Sequence, residues 1–406
     1  MNKCIEENYM RLHKLTQQAI DRIERGECLL QAEDFVNQEA AAGQSDGTIL
    51  QLVDNDKKFI AKAIVGHQNK GIAWVFTDHE RIYFNQDFIE NVIEDAIEKR
   101  QSFFDSEETT AFRLFNGEGD GLGGLTIDWY DGFIQINWYN RAVFAERATF
   151  IKVLLYFLPQ IKGVYETKRF KLIEAEQPIE HTYGEVAPQP IEILENNIRY
   201  AIYLGSEWMT GLFLDQREVR QFIQSQVAGA SLLNLFSYTG GFSVAAAVGG
   251  AKHTISVDVA NRSLEKTTEQ FALNQIEAPT ENHEIRVMDV FDYIQYAKRH
   301  QRTFDWIVCD PPSFARTKDY LFRAETDYRQ LAADLFELTA PGGFCVLSTN
   351  HSGYPKELFM DDMNQVAQAA AGEYYLIQSF GLPDDYPTSA DEASQYLKVL
   401  VYYRAQ

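Results

Sequence analysis

The segment Leu232-Leu-Asn-Leu-Phe-Ser-Tyr-Thr-Gly-Gly-Phe-Ser243 constrains the fold more than any other part of the chain. An apolar run at 232–236 closes into paired glycines and opens into a helix of small residues at 241–248, the strand, turn and helix order that begins a doubly wound α/β sheet. Two further strands, 253–257 and 284–288, end in Asp258 and Asp289, and a fourth runs into Asp310-Pro311-Pro312. An acid after a strand is commonly no more than a helix N-cap. Three of them on successive strands all fall at the carboxyl edge, where open α/β sheets bind ligands, and capping alone does not account for that placement.

The pattern also limits the ligand. A dinucleotide site wants G-x-G-x-x-G, because its glycines and a helix N-terminus must cradle a pyrophosphate; this chain offers only Thr239-Gly240-Gly241. S-adenosylmethionine carries no phosphate. Its methionine carboxylate can use the helix N-terminus, and its ribose diol needs one acid at the end of the next strand, about twenty residues on. Asp258 stands there, and Asp289 is placed to accept from the adenine amino group or to orient its neighbour. Asn234, Phe236, Ser237, Tyr238, Thr239 and Gly240 would then form the strand end and turn beneath the cofactor, with Asp310 closing the site.

At 406 residues the chain is long enough for two or three domains. The expected fold is α/β, with a small N-terminal module over 1–80, a central α+β domain over 81–187 and a C-terminal Rossmann-like domain over 188–406 whose seven-stranded sheet is mostly parallel. In the first module two amphipathic helical patterns up to Phe35 precede short strands at 48–53, 59–65 and 72–76. A connecting helix follows at 88–104, then strands around a Gly-rich bend, an Asp131-Gly132 hairpin turn, a helix at 144–158 and a strand at 163–167. The Gly-rich bend lacks the ligand spacing of a calcium loop and reads as turn chemistry. A linker with two prolines at 186–190 leads to a predicted hairpin made of 198–204 and 211–215. Strands at 374–380 and 396–403 predict an antiparallel edge on the last sheet.

Cys4, Cys28, Cys309 and Cys345 lie far apart without C-x-x-C spacing, so neither a metal site nor a disulfide framework is indicated. The N-terminus has no apolar signal core and no run is long enough to span a membrane, which predicts a cytoplasmic protein. A net charge of −22 argues against broad nucleic-acid affinity. Local basic groups nonetheless occur: Lys162, Lys168, Arg169 and Lys171 form one, residues 298–302 another, and Arg316, Lys318 and Arg323 a third just beyond Asp310-Pro311-Pro312. Solvated faces explain the first two as well as RNA contact does, whereas the third lies beside the proposed site.

Four stretches, Phe112-Arg113-Leu114 through Asp128, Thr210-Gly-Leu-Phe-Leu-Asp-Gln-Arg217, Asn234 to Phe242 and Asp310-Pro-Pro-Ser-Phe314, resemble the bacterial large-subunit ribosomal RNA methyltransferases of the 5-methylcytosine type. The resemblance covers residues 80–406 well and the first 80 poorly. It implies an N-terminal PUA-like domain, S-adenosylmethionine as cofactor and ribosomal RNA of the large subunit as partner. It also implies that Phe213, Asp215, Gln216 and Arg217 lie near the cofactor. Whether the protein is a monomer or a homodimer stays open.

One departure from that family carries chemical weight. Cytosine C5 accepts a methyl group only after a thiolate adds to C6, so the 5-methylcytosine enzymes need a placed cysteine. Here Asn350-His351 stand where the family pattern has Cys-Ser, Cys345 lies near the start of its strand, and Cys309 precedes Asp310. Both thiols read as core residues. The segment Ser348-Thr-Asn-His-Ser-Gly-Tyr354 looks closer to the sister group that makes 7-methylguanine. That likeness implies that Asp310, Pro311 and Pro312 orient the base, Asn350 hydrogen-bonds its edge and Phe314 or Tyr354 stacks on it, while Arg316 and Lys318, by their place beside the site, are expected to contact the substrate. His351 is either a general base for an exocyclic amine or a polar loop residue. The competing readings are a 5-methylcytosine enzyme with a displaced thiol, a cofactor-binding assembly factor without catalysis, and a methyltransferase for a small molecule or a protein.

Overall fold

The computed structural model describes residues 11–68, 71–316 and 321–406. Its C-terminal part is built on a seven-stranded sheet, whose strands we label β1 (Ser231–Leu235), β2 (His253–Asp258), β3 (His283–Val287), β4 (Phe304–Cys309), β5 (Thr339–Thr349), β6 (Tyr374–Phe380) and β7 (Lys398–Arg404). The order is β3-β2-β1-β4-β5-β7-β6. The first five are parallel and β7 runs antiparallel to both its neighbours. Chain order reverses between β1 and β4, so the crevice at their carboxyl ends is the switch point at which such sheets bind ligands.

Alternation along the strands separates two cores, as period-2 geometry requires. Leu233, Leu235, Ile307, Cys309, Cys345 and Leu347 face the helices Val290–Arg299, Ala324–Leu338 and Lys356–Ala369. Leu232, Trp306, Val308, Val346, Val399 and Val401 face the helices Arg217–Gln226 and Gly241–Val248. Strands buried on both faces need near-continuous apolar runs, which is what these segments carry.

The N-terminal module is a five-stranded sheet in the order Arg11–Lys14, Ile49–Val53, Phe59–Gln68, Gly71–Thr77 and Leu29–Leu30. The three strands expected there form, but among the described residues up to Phe35 there is one α-helix where two were expected, Gln17–Glu24, started by the Thr16 side chain accepting from the Ala19 amide. The residues after it pair instead: Leu29 and Leu30 join the sheet beside Trp74 and Ala73. Burial against the sheet overrides a local helical period.

The central domain is a second five-stranded sheet, ordered Ile179–Gly184, Gly163–Lys168, Phe133–Trp138, Leu125–Tyr130 and Ala111–Asn116. The helices Gln86–Lys99 and Arg147–Phe157 cover one face through Ile127, Trp129, Ile134, Ile136 and Trp138. Its other face turns to the C-terminal domain.

The predicted hairpin before the main sheet needs correction. Ile198–Ile202 pairs with Ile191–Glu195, not with 211–215. Asn196 and Asn197 both take left-handed backbone, φ 50° and 64°, the geometry of a two-residue hairpin turn that Asn tolerates. Residues 214–216 instead form a short 3₁₀ turn.

Candidate active site

Register alone brings the strand-end residues into one row. Leu235 stands opposite Val257 and Cys309, and Cys309 opposite Leu347. The next residue on each strand is therefore at the carboxyl edge: Phe236, Asp258, Asp310 and Ser348. The turn after β1 is tight, with Phe236, Tyr238 and Gly240 all at positive φ (56°, 54° and 79°). A Cβ on Gly240 would also lie 2.5 Å from Thr267 Cγ2, so no other residue fits this close approach.

Asp258 is held by the same turn. Its Oδ2 accepts from the Tyr238 amide at 2.9 Å and its Oδ1 from the Ala260 amide at 2.9 Å, which fixes the carboxylate while leaving lone pairs free. Gly240 caps the helix Gly241–Val248 without a side-chain hydrogen bond, so amides of its first turn remain available to an anion. Beside them a cavity of about 120 Å³ is lined by Gly211, Tyr238, Thr239, Asp258, Arg262 and Lys266. A fixed acid, an uncapped helix end and a turn that excludes a Cβ fit the ribose and carboxylate of S-adenosylmethionine. Around them, Asn234 Nδ2 donates to Ser243 Oγ at 3.0 Å, the Ser237 amide to Val257 O at 3.0 Å, and Thr239 Oγ1 to Gly211 O at 2.6 Å. These three position the turn. Phe236 packs against Phe291 and Phe322. Asp289 Oδ1 caps the helix Val290–Arg299 through the Phe291 and Asp292 amides.

Asp310 follows β4, the strand beside β1. Burial pushes its carboxyl up to about 6, with Asp215 adding to the rise and hydrogen bonds from Ser348 and Gln216 opposing it. Gln216 Nε2 donates to Asp310 Oδ2 at 3.1 Å and to Ser348 Oγ at 2.8 Å. Asp215 Oδ2 accepts from the Tyr396 hydroxyl at 2.8 Å, and burial raises its pKa as well. Ser313 Oγ donates to Asn350 Oδ1 at 3.1 Å, leaving the Asn350 amide nitrogen as a donor. A second cavity, about 240 Å³, opens between the central and C-terminal domains and is lined by Asp215, Phe213, Tyr238 and Asn350 on one side and by Asp128 and Asn137 on the other. A larger cavity, about 470 Å³, is lined by Tyr386, Tyr354 and Lys398 among others and by none of the strand-end acids.

Two expectations need correction. Tyr354 is only 1% exposed, donates to Asp362 Oδ2 at 2.5 Å and packs on Phe359; burial removes it from any stacking role. Arg217 is buried, ion-paired with Asp385 and set over the Phe103 ring at 4.7 Å. Its charge is spent inside the protein. Phe314 is exposed, 5.8 Å from the His351 ring, and Pro311 is buried where Pro312 is exposed. His351 Nε2 lies 2.9 Å from Glu325, while Nδ1 accepts from the Gly353 amide at 3.2 Å, so both ring nitrogens are engaged. The backbone of Arg316 belongs to the strand Phe314–Arg316, and Lys318 lies outside the described residues. Of the basic groups, Lys162 pairs with Asp131, Lys168 with Glu180 and Lys298 with Asp334 and Glu337.

Sequence reasoning missed the loop between β6 and β7. Asp385, Tyr386 and Asp391 come from it, and Tyr386 and the nearby Tyr396 line the second cavity. A run of Pro383-Asp-Asp-Tyr-Pro387 looks like ordinary turn composition, and the only local signal was the density of aromatic and acidic residues within it.

The fold and site define a class I methyltransferase, and residues 112–403 match the family model described as S-adenosylmethionine-dependent methyltransferase. The chain belongs to that family, and its cofactor is S-adenosylmethionine. Residues 14–78 match a PUA-like domain. It is 41% identical to YwbD of Bacillus subtilis, provisionally named a ribosomal RNA large subunit methyltransferase, over 97% of this chain and 99% of that one. It is 30% identical to ribosomal RNA large subunit methyltransferase I of Aeromonas hydrophila, over 88% of this chain and 90% of the relative. The crystal structure of SMU.776, provisionally named a methyltransferase and complexed with SAH, superposes with a TM-score of 0.89 at 36% identity, covering 97% of this chain and 100% of that one. Among the described residues no helix is long and apolar enough to cross a membrane.

Proposed function

We propose that this protein methylates a base nitrogen of large-subunit ribosomal RNA without a cysteine nucleophile, and that guanine N7 is the atom its site suits best. The observation that carries this reading is where the thiols of the described residues lie, Cys4 being outside them. Cys309 and Cys345 are both 0% exposed. Cys345 stands in mid-strand opposite Ile307 and Tyr402, and burial pushes its thiol up to about 12. Burial also holds the Cys309 thiol well above its ordinary value. Neither supplies a thiolate at neutral pH. Cys28 lies in the N-terminal module, its thiol raised to about 12 by burial and by Asp391. Asn350, not a cysteine, follows β5 into the cleft.

Bound S-adenosylmethionine supplies a methyl group on a sulfonium, whose positive charge passes to the ring of a guanine methylated at N7. Guanine N7 has its own lone pair, so positioning and charge stabilisation are the tasks left to the protein. Asp215 and Asp128 line the cleft, Asp310 stands at the sheet edge held by Gln216, the neighbour of Asp215, and the Asn350 amide can donate to the base beside the accepting atom. The names of the relatives support ribosomal RNA as the substrate, and the PUA-like domain supports an RNA partner.

The test is nucleoside mass spectrometry of unmodified large-subunit ribosomal RNA incubated with the purified protein and S-adenosylmethionine. A 7-methylguanine at one position is expected, and Cys345→Ala should leave kcat/KM within about twofold. Methyl on cytosine C5, lost with Cys345→Ala, would instead establish the thiol mechanism. For the cofactor site, Asp258→Ala should weaken SAH binding by about 10- to 100-fold, since hydrogen bonds to a charged group contribute about 1.5–3 kcal/mol. Titration calorimetry showing an unchanged Kd would remove Asp258 from the cofactor site.

A further inference from the structure

The face of the central sheet opposite its helices carries polar side chains that line the cleft and use only part of their hydrogen-bonding capacity within the protein. Along Phe133–Trp138 every residue is buried. Ile134, Ile136 and Trp138 point to the helices, yet the alternate positions Gln135 and Asn137 are amides. Asp128 stands directly opposite Gln135 on the neighbouring strand, and Arg113 opposite Asp128 on the next. These side chains share the face that lines the 240 Å³ cleft.

Most of their hydrogen-bonding capacity is used to hold one another. Arg113 Nε donates to Asp128 Oδ1 at 2.7 Å and its Nη1 to Asn116 Oδ1 at 2.6 Å. Asn137 Oδ1 accepts from Arg169 Nε at 3.3 Å and from Gln135 Nε2 at 3.4 Å. What remains includes a carboxylate oxygen, Asp128 Oδ2, and an amide donor, Asn137 Nδ2, together with Gln135 Oε1 and Arg113 Nη2, none with a protein hydrogen-bond partner among the described residues. Asp128 and Asn137 are each only 6% exposed. These atoms stay open to the cleft, where a ligand can reach them, and are not sealed in a packed domain interface. Two residues fixed in place with their free atoms turned to a cavity are what a ligand-reading wall requires.

We propose that this polar sheet face reads the target base: Asp128 accepts from N1–H and N2–H of a flipped guanine, and Asn137 donates to its O6. The inference rests on the reading of guanine as substrate and adds which groups select it. Guanine alone among the four bases presents two adjacent ring-edge donors beside a carbonyl. Cytosine would turn its own N3 and O2 acceptors toward the carboxylate. Tyr396, half-buried and also at the cleft, supplies flat aromatic surface for a base taken out of its stack. With its Watson–Crick edge on the central domain, the opposite edge carrying N7 faces the C-terminal side of the cleft, where Asn350 stands.

The test is steady-state methylation of a large-subunit ribosomal RNA fragment spanning the position mapped by mass spectrometry, made with guanosine or with inosine at that position. Asn137→Asp keeps the Oδ1 acceptor for Arg169 and Gln135 but replaces the donor facing O6. It should lower kcat/KM by about 5- to 150-fold with SAH affinity unchanged, the equivalent of about 1–3 kcal/mol per base-edge contact. Inosine lacks the N2 amino group and should cost the unaltered protein a similar factor, with no dependence on how any variant folds. Guanine methylation that is indifferent to both changes overturns the assignment of this wall and leaves the proposed activity standing. Methyl on another base, or none on RNA, overturns the proposed activity itself, and this inference with it.

Discussion

Replacing Asp385 by Ala is expected to cost about 3–5 kcal/mol of folding free energy, a large effect for a residue on a loop. Asp385 belongs to the loop between β6 and β7 and is 0% exposed. Its carboxylate takes both terminal nitrogens of Arg217, and its Oδ2 accepts from the Arg113 amide at 2.8 Å. Its own carbonyl accepts from Arg100 Nη2 at 2.8 Å. Removal leaves the buried Arg217 guanidinium without its counter-charge and the Arg113 amide without an acceptor, which is the costly way to break an ion pair. At about 2–3 kcal/mol/M the urea midpoint should fall by about 1–2 M. A shift below about 0.3 M would mean that solvent reaches Arg217 and the pair is weak.

The same loop ties all three parts of the chain together. Pro387 O accepts from Asn116 Nδ2 at 2.9 Å, and a Cβ on Gly119 would collide with Pro387 O, so the Gly-rich bend of the central domain is the seat for this loop. Asp391 accepts from the Cys28 and Leu29 amides of the N-terminal module. Tyr386 lies under Arg113, 4.4 Å from ring centroid to guanidinium carbon. Asp385→Ala should therefore also loosen the cleft, and methylation should fall even where the variant stays folded.

These contacts explain what could and could not be read from sequence. The strand-end acids were legible because each depends on local order: an apolar strand, then an acid, then a helix. Register converts that order into a row of groups at one sheet edge without further information. Arg217 was misplaced because its partner lies 168 residues away, and nothing in Leu214-Asp-Gln-Arg217 reveals that a later loop returns to neutralise it. Tyr354 was misplaced for a shorter-range reason. Its partner Asp362 is two turns along the following helix, so the ring folds down onto Phe359 and away from the cleft. The second expected helix before Phe35 failed because Leu29 and Leu30 gain more by completing a sheet. Composition suffices to mark the Gly-rich bend as turn chemistry, yet its steric purpose depends on Pro387, which no local pattern announces.

Asp310→Asn is expected to lower the single-turnover methylation rate by about 10²–10³-fold while leaving SAH affinity within a few-fold. The cause is electrostatic. A base methylated at N7 acquires positive charge, and Asp310 lies at the carboxyl edge of β4 in a site where burial strengthens its field. The amide keeps the shape and the hydrogen bond to Ser348 but removes the charge. The pH dependence follows from the same residue. Burial is the largest influence and holds the carboxyl at about 6, so the ionised form prevails above that pH and the acid form below it. The rate should be flat above about pH 7 and fall about tenfold per unit below about 6. Gln216 Nε2 stabilises the ionised form by donating to Oδ2, and Gln216→Leu should move the acid limb to higher pH. A profile that stays flat to about pH 5, or a limb that Gln216→Leu does not move, would show that the charge on Asp310 takes no part in the transfer and that the carboxylates on the other side of the cleft carry it instead.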